Sequence, residues 1–306
     1  MKHSNKKFKR RDPHIEDGVK MYMTGISSNS IMEKLPYDRI EVEYREFPDG
    51  EMYIRFDEKI KKVEDILIVQ SLYYPQDKHL MQLFFMLDAC KELDINVHLF
   101  VPYLAYARQD KRFREYECVS SGTVLKILNS FDLKSFYTVD VHEEKLLKHI
   151  KAESKNLTAT SIIGKYLKKE DLKDPVIISP DKGAVDIAKR VAEILDCEYD
   201  YLEKKRISGD KVETRPKNID TKGRDVVIVD DMISTGGTMA NACSILKKEG
   251  TRKVLAGATH LLMVGDAEEK LKRAGIDKIF GTDSIPHKYS HISVAPLIEG
   301  ELKILL

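Results

Sequence analysis

Residues 226–238 read VVIVDDMISTGGT, and this stretch concentrates the chain's chemistry. Val226–Val229 is a short apolar run of β-branched residues, which predicts a buried strand. Two carboxylates, Asp230 and Asp231, follow at once, and then a turn of small and hydroxylated residues: Ser234, Thr235, Gly236, Gly237 and Thr238. From Met239 to Lys248 the apolar residues Met239, Ala242, Cys243 and Leu246 recur at helical spacing, and Gly250 ends the run. In such a turn, glycines allow backbone N–H groups to approach an anion closely, because no Cβ intervenes. The helix N-terminus adds unpaired donors and a favourable dipole. Ser234, Thr235 and Thr238 add hydroxyls, so the turn is a cradle for one phosphate group. It is not a Walker loop, which requires a lysine absent here, nor a dinucleotide fingerprint, whose glycine spacing is missing. Carboxylates beside a phosphate repel it unless they bind something else, and sugar hydroxyls or metal-bound water suit them. A phosphorylated sugar satisfies both halves of the motif. The plainer alternative is a strand–helix turn with a solvated acidic edge.

The elements around this stretch repeat its strand-then-helix order. Strands are predicted at Lys20–Thr24, Glu41–Tyr44, Ile66–Gln70, Val97–Val101, Phe136–Asp140, Val176–Ser179, Tyr199–Leu202, Asp225–Val229, Val254–Thr259 and Lys278–Gly281. Helices are predicted at His79–Leu93, Thr123–Leu128, Ser161–Lys168, Ala184–Leu195, Met239–Lys248 and Ala267–Ala274. This alternation is that of an α/β protein with mainly parallel sheets flanked by helices. The chain's 306 residues suffice for two domains. Ile150–Thr160 is polar without an apolar period and marks the expected boundary: a basic extension over 1–18, one domain over 19–158 and a second over 159–306. Charged residues make up 33% of the chain at a net charge of +1, which argues against a general affinity for nucleic acid. No apolar run is long enough to span a membrane, and the basic start lacks the apolar core of a signal peptide, so a cytoplasmic enzyme is expected. The four cysteines are scattered without C-x-x-C spacing, as in a reducing compartment.

In open α/β sheets ligands gather at the carboxyl ends of strands, and other strand ends here carry chemistry. After Val97–Val101 comes a loop with Arg108, Gln109, Asp110, Lys111, Arg112 and Arg114, a cationic set suited to polyphosphate or simply a solvated basic loop. His142 follows the strand ending at Asp140, and Asp181 lies in a Pro–Gly turn after Val176–Ser179. Either alone reads as a structural residue; facing one cleft, both could serve a magnesium ion that keeps its waters and bridges phosphates. Beyond Tyr199–Leu202, EKKRISGDKVE reads as a mobile charged hairpin loop in which Lys204 and Arg206 share a face when extended. Near the start, EFPDGE is a turn whose Phe47 could stack on a flat base or simply pack.

Taken together, these segments resemble the ribose-phosphate pyrophosphokinases, most closely the archaeal type, from about Val19 to the C-terminus. The loop at 230–238 alone is shared with type I phosphoribosyltransferases. The cationic loop at Arg108, the arm at Lys204 and the two-domain length favour the former. A non-catalytic paralogue would be expected to lack some of Lys204, Arg206, His142 and Asp181, and all are present. The resemblance implies two similar phosphoribosyltransferase-like domains and a homo-oligomer. It implies ATP contacts at Phe47, Asp49 and Glu51, partly across a subunit interface, and at Arg108, Gln109, Asp110 and His142. It implies magnesium at His142 and Asp181, catalysis by Lys204 and Arg206, and ribose 5-phosphate on Asp230, Asp231, Ser234, Thr235, Gly236, Gly237 and Thr238. The expected reaction moves the β,γ-diphosphoryl group of ATP to the 1-hydroxyl of ribose 5-phosphate and releases AMP. The extension before Val19 and the ISGDKVE segment depart from the family pattern.

Overall fold

The computed structural model describes residues 20–208 and 211–305, and of 204–208, 211–215 and 304–305 the backbone alone. The basic extension over 1–18 lies outside the described residues. The first sheet gathers β1 (Tyr22–Thr24), β2 (Asp38–Arg39), β5 (Asp65–Val69), β6 (Asn96–Val101), β7 (Ser135–Val139) and β8 (Glu153–Leu157) in the order β2-β1-β5-β6-β7-β8. All its pairings are parallel. Between β2 and β5 a separate antiparallel hairpin is formed by β3 (Val42–Glu46) and β4 (Met52–Phe56). The helices of this half are α1 (Asn29–Met32), α2 (Gln76–Glu92) and α3 (Ser120–Leu128).

The second sheet holds β9 (Val176–Ser179), β10 (Glu198–Ser208), β11 (Lys211–Pro216), β12 (Asp225–Ile233), β13 (Lys253–Leu261), β14 (Lys278–Thr282) and β15 (Ser290–Ile292), ordered β11-β10-β9-β12-β13-β14-β15. Only β10–β11 is antiparallel; the other pairings run parallel. Its helices are α4 (Thr160–Leu167), α5 (Val185–Leu195), α6 (Gly237–Lys248), α7 (Ala267–Arg273) and α8 (Ala295–Leu305). The chain is thus the expected α/β protein with two helix-flanked, mainly parallel sheets.

The central strands are largely apolar because both faces are covered. Every residue of β7 and β9 is buried, as parallel strands between helices require. Helix α5 buries Ala188, Val191 and Ala192, one stripe at i, i+3 and i+4, and leaves its charges outside. One apolar cluster draws Met23, Phe100 and Tyr137 from the first half together with Val229, Leu255 and Phe280 from the second, sealed by Ile298 and Leu302 of α8. The two sheets therefore share a core.

All the strands and helices predicted from sequence are present, with shifted ends, and three readings need correction. The polar segment 150–160 contains β8, whose alternation of exposed and half-buried residues fits the edge strand that it is. The charged run after Leu202 continues as strand to Ser208 and pairs with β11. Strand β12 does not stop at Val229 but runs to Ile233, so the acidic pair lies within its carboxyl end.

Candidate active site

The carboxyl end of β12 and the turn into α6 form the floor of a cavity of about 530 Å³. Gly236 caps α6 at φ 73°, in the left-handed region, and an added Cβ would stand 3.0 Å from the Ala267 carbonyl oxygen. Only glycine meets both conditions without strain. Among the described residues no side chain caps this helix, and its first turn carries no acid, so its leading N–H groups remain available to an anion. The turn is braced from behind: Met263 N–H donates to Ile233 O at 3.0 Å and Val264 N–H to Ser234 O at 2.9 Å.

The cavity wall combines both halves of the molecule. Arg108 and His142 come from the first sheet's strand ends; Asp181, Asp230, Asp231 and the whole turn Ser234–Thr238 come from the second. His142 Nδ1–H donates to Asp231 Oδ2 at 2.8 Å across the divide. That bond raises the histidine's pKa against the opposing effect of burial. On Asp231, burial alone would raise the pKa, but the hydrogen bond and charge of His142 outweigh it and hold the carboxyl below its usual range. Among the described residues Asp230 has no cationic partner and accepts only from Asp231 N–H at 2.9 Å. Burial first, then the charges of Asp231 and Asp181, push it up to about 8. A carboxylate so crowded is a place where a cation or a pair of hydroxyls lowers the energy.

Other sequence-predicted residues are turned elsewhere. Asp181 forms an Asx turn, its Oδ1 accepting from Gly183 N–H at 2.7 Å, while still lining the cavity. Gln109 reaches within its own loop toward Lys111 O at 3.4 Å and does not line the cavity; nor does Asp110. Phe47, Asp49 and Glu51 sit at the β3–β4 turn, also outside it, with Asp49 Oδ1 accepting from Glu51 N–H at 3.1 Å. Arg45 lies over the rings of Tyr53 at 4.4 Å and Phe47 at 5.4 Å, so the turn is pre-ordered. The side chains of Lys204 and Arg206 lie outside the described residues; their backbone pairs with Thr214 and Val212 in the β10–β11 ladder.

Sequence reasoning missed two kinds of residue. Glu117 shapes the basic loop, its Oε2 accepting from Phe113 N–H at 2.7 Å and Arg114 N–H at 3.0 Å. Its only sequence signal is an acid amid cations. Ile187, Met232 and Met239 supply apolar walls to the cavity and read in sequence as ordinary core residues.

Residues 25–131 match the family model described as the N-terminal domain of ribose phosphate pyrophosphokinase, and residues 148–297 match the phosphoribosyl transferase domain. The chain is 42% identical over 275 residues to the ribose-phosphate pyrophosphokinase of Methanothermobacter thermautotrophicus, covering 90% of this chain and 95% of that one. It is 41% identical over 269 residues to that of Pyrococcus furiosus, covering 88% and 94%. The crystal structure of phosphoribosylpyrophosphate synthetase from Mycobacterium smegmatis superposes with a TM-score of 0.82 at 26% identity, over 93% of this chain and 98% of that chain. With an uncapped helix N-terminus, a carboxylate pair, Arg108 and His142 meeting in one cavity, and with this likeness over nearly its whole length, the chain belongs to the ribose-phosphate pyrophosphokinase family.

Proposed function

We propose that the protein transfers the β,γ-diphosphoryl group of ATP to the 1-hydroxyl of ribose 5-phosphate, forming 5-phosphoribosyl 1-diphosphate and AMP. The observation that carries this reading is the single cavity in which the β12–α6 turn faces Arg108 and His142 from the other sheet. A site for a phosphorylated sugar and a site for a polyphosphate are thereby set against each other, as in-line transfer needs. The 5-phosphate lies on the N–H groups and hydroxyls of Ser234, Thr235, Gly236, Gly237 and Thr238. Asp230 and Asp231 accept from the 2- and 3-hydroxyls and so orient the 1-hydroxyl. Arg108 takes phosphate oxygens of ATP, with Gln109 and Asp110 beside it. Lys204 and Arg206, on the β10–β11 arm, stabilise charge at the β-phosphorus and on departing AMP. We assign 19–158 to the ATP side and 159–306 to the ribose side.

The residues present fit a magnesium ion. Among the described residues no cluster of three or more His, Cys, Asp or Glu side chains could hold a metal by itself. Yet His142, Asp181, Asp230 and Asp231 line one cavity, and magnesium typically takes one or two protein ligands and completes its shell with water and phosphate. His142, through the nitrogen not bonded to Asp231, and Asp181 would hold it. When bound it neutralises triphosphate charge. The β3–β4 turn with Phe47, Asp49 and Glu51 stands outside this chain's cavity, which supports a homo-oligomer in which the turn serves the adenine of a neighbouring copy.

The test is phosphorus NMR of purified protein with magnesium, ATP and ribose 5-phosphate. AMP appearing with a sugar diphosphate is the expected result. ADP with ribose 1,5-bisphosphate would mean attack at the γ-phosphorus and overturn the assignment.

A further inference from the structure

Behind the cavity, a second set of contacts ties the two halves together. Asp140 directly follows β7 and stands two residues before His142. It is buried, and its backbone sits at φ 37°, a region that side-chain-bearing residues rarely adopt. Its Oδ2 accepts from Ala159 N–H at 3.0 Å and from Thr259 Oγ1–H at 2.6 Å. Thr259 belongs to β13, the direct neighbour of β12: Asp230 is paired with Ala258, and Met232 with His260. His260 makes a parallel crossing, its Nε2–H donating to Val139 O at 2.9 Å. The crossing from His142 to Asp231 closes the ring. Three contacts thus join Val139–His142 to the β12–β13 ladder: His142–Asp231 in the cavity lining, and Asp140–Thr259 and Val139–His260 outside it.

The His142–Asp231 crossing lies among the groups that the functional reading places on ligands. The Asp140–Thr259 crossing involves none of them. We propose that Thr259, acting through Asp140, is a positioning residue: it holds the chain segment that bears His142 at a fixed height above Asp230 and Asp231. The strained backbone at Asp140 supports this, since a left-handed aspartate persists where its surroundings over-determine it. The inference rests on the diphosphoryl-transfer reading above. It predicts that loss of the Thr259 hydroxyl misaligns the two substrates without removing any group that touches either.

The test compares Thr259→Val, which keeps shape and removes the donor, with Thr259→Ser, which keeps it. Steady-state kinetics on the full chain should show kcat of Thr259→Val lower by roughly 10- to 100-fold with KM for both substrates held within about threefold, and Thr259→Ser restoring most of kcat. A Thr259→Val enzyme with wild-type kcat overturns the proposal. So does a loss carried mainly in KM, or a Thr259→Ser enzyme as impaired as Thr259→Val. If Thr259→Val does not fold, Asp140→Asn repeats the test with the same expected split, since an amide oxygen still accepts from Ala159 N–H but holds the hydroxyl more weakly. Failure of the wild-type protein to form AMP and sugar diphosphate would instead reject the functional reading itself, so the two failures are distinct.

Discussion

In the proposed reaction Lys204 meets developing charge, whereas Gly236 sits where no side chain fits without strain. Lys204→Ala should lower kcat by roughly 100-fold or more while changing KM for ATP little, because a group that acts on developing charge contributes mainly at the transition state. The control is Lys270→Ala, a half-exposed lysine that, among the described residues, pairs with Asp266 one helical turn away. Equal losses in both variants would remove Lys204 from the chemistry. Gly236→Ala introduces a Cβ at φ 73° and 3.0 Å from Ala267 O. It should cost about 1–2 kcal/mol of stability and weaken ribose 5-phosphate binding, measurable by chemical unfolding and calorimetry. An unaltered affinity would show that the anion does not use this turn. The turn was legible in sequence because its donors are contiguous. Thr259 and Asp140 were not: they lie 119 residues apart, and neither has a local pattern that names its partner. Asp230 was read as a carboxylate acceptor; its pKa of about 8 arises from burial, from the adjacent Asp231 and from Asp181 in the turn after β9, and of these only Asp231 is visible in the local sequence.

At the scale of elements, the buried parallel strands and amphipathic helices were legible because their apolar runs are dictated by two covered faces. The elements missed were those at edges: β8 and β15 at sheet borders, the two-residue β2, and β4 and β11, which return their hairpins. An edge strand such as β8 keeps polar residues, so it reads as a loop; β4, mostly apolar, does not share that reason. Helix α8 escaped notice because Pro296 and Gly300 interrupt its apolar spacing, although Ile298 and Leu302 are fully buried. The β10–β11 arm illustrates what an element needs beyond its own ladder. At its base Asp200, itself buried, accepts from Tyr201 N–H at 2.9 Å, Asn218 N–H at 2.6 Å and Ile219 N–H at 3.1 Å, tying both legs together. Asp200→Ala leaves those donors unpaired and should cost about 2–3 kcal/mol, read as a lower urea midpoint. A loss under about 0.5 kcal/mol would mean that water replaces the carboxylate without penalty. The β3–β4 turn makes a different demand. Phe47→Ala should raise KM for ATP several-fold and leave KM for ribose 5-phosphate unchanged, if the turn contacts adenine in a neighbouring copy. An effect on the sugar KM alone would separate the turn from the nucleotide.

The whole molecule is held by a core shared between its sheets and by polar contacts at the strand ends, and His260 stands where these meet. Its ring is buried, edge-on to Tyr103 at 5.0 Å, with Nε2–H donating to Val139 O and Nδ1 facing the Ser284 hydroxyl at 2.9 Å. Ser71 Oγ–H reaches from the other half to Ser284 O at 2.5 Å, so the same segment is latched twice. Burial holds the His260 pKa below the usual 6.5, and the charges of Asp140 and Asp231 pull it upward without prevailing. In the unfolded chain the ring takes a proton near 6.5; in the fold it resists. Below that value the unfolded state therefore binds more protons, and this histidine's contribution to stability falls as pH falls. The change is limited to about 1.4 kcal/mol per pH unit for one group, until the folded pKa is passed. Other titrating groups, including Asp230 and His142, act in their own directions, so the informative quantity is a difference. Wild type and His260→Gln share those groups. At pH 7.5 the wild type should be the more stable, since it keeps the bond to Val139. Toward pH 5.5 the gap should narrow, because only the wild type carries a buried ring that protonation opposes. Urea unfolding of both proteins across that range measures it. A gap that stays constant would mean that His260 titrates alike in the folded and unfolded chain, and a gap that widens toward acid would mean that the two aspartates hold the ring charged within the fold.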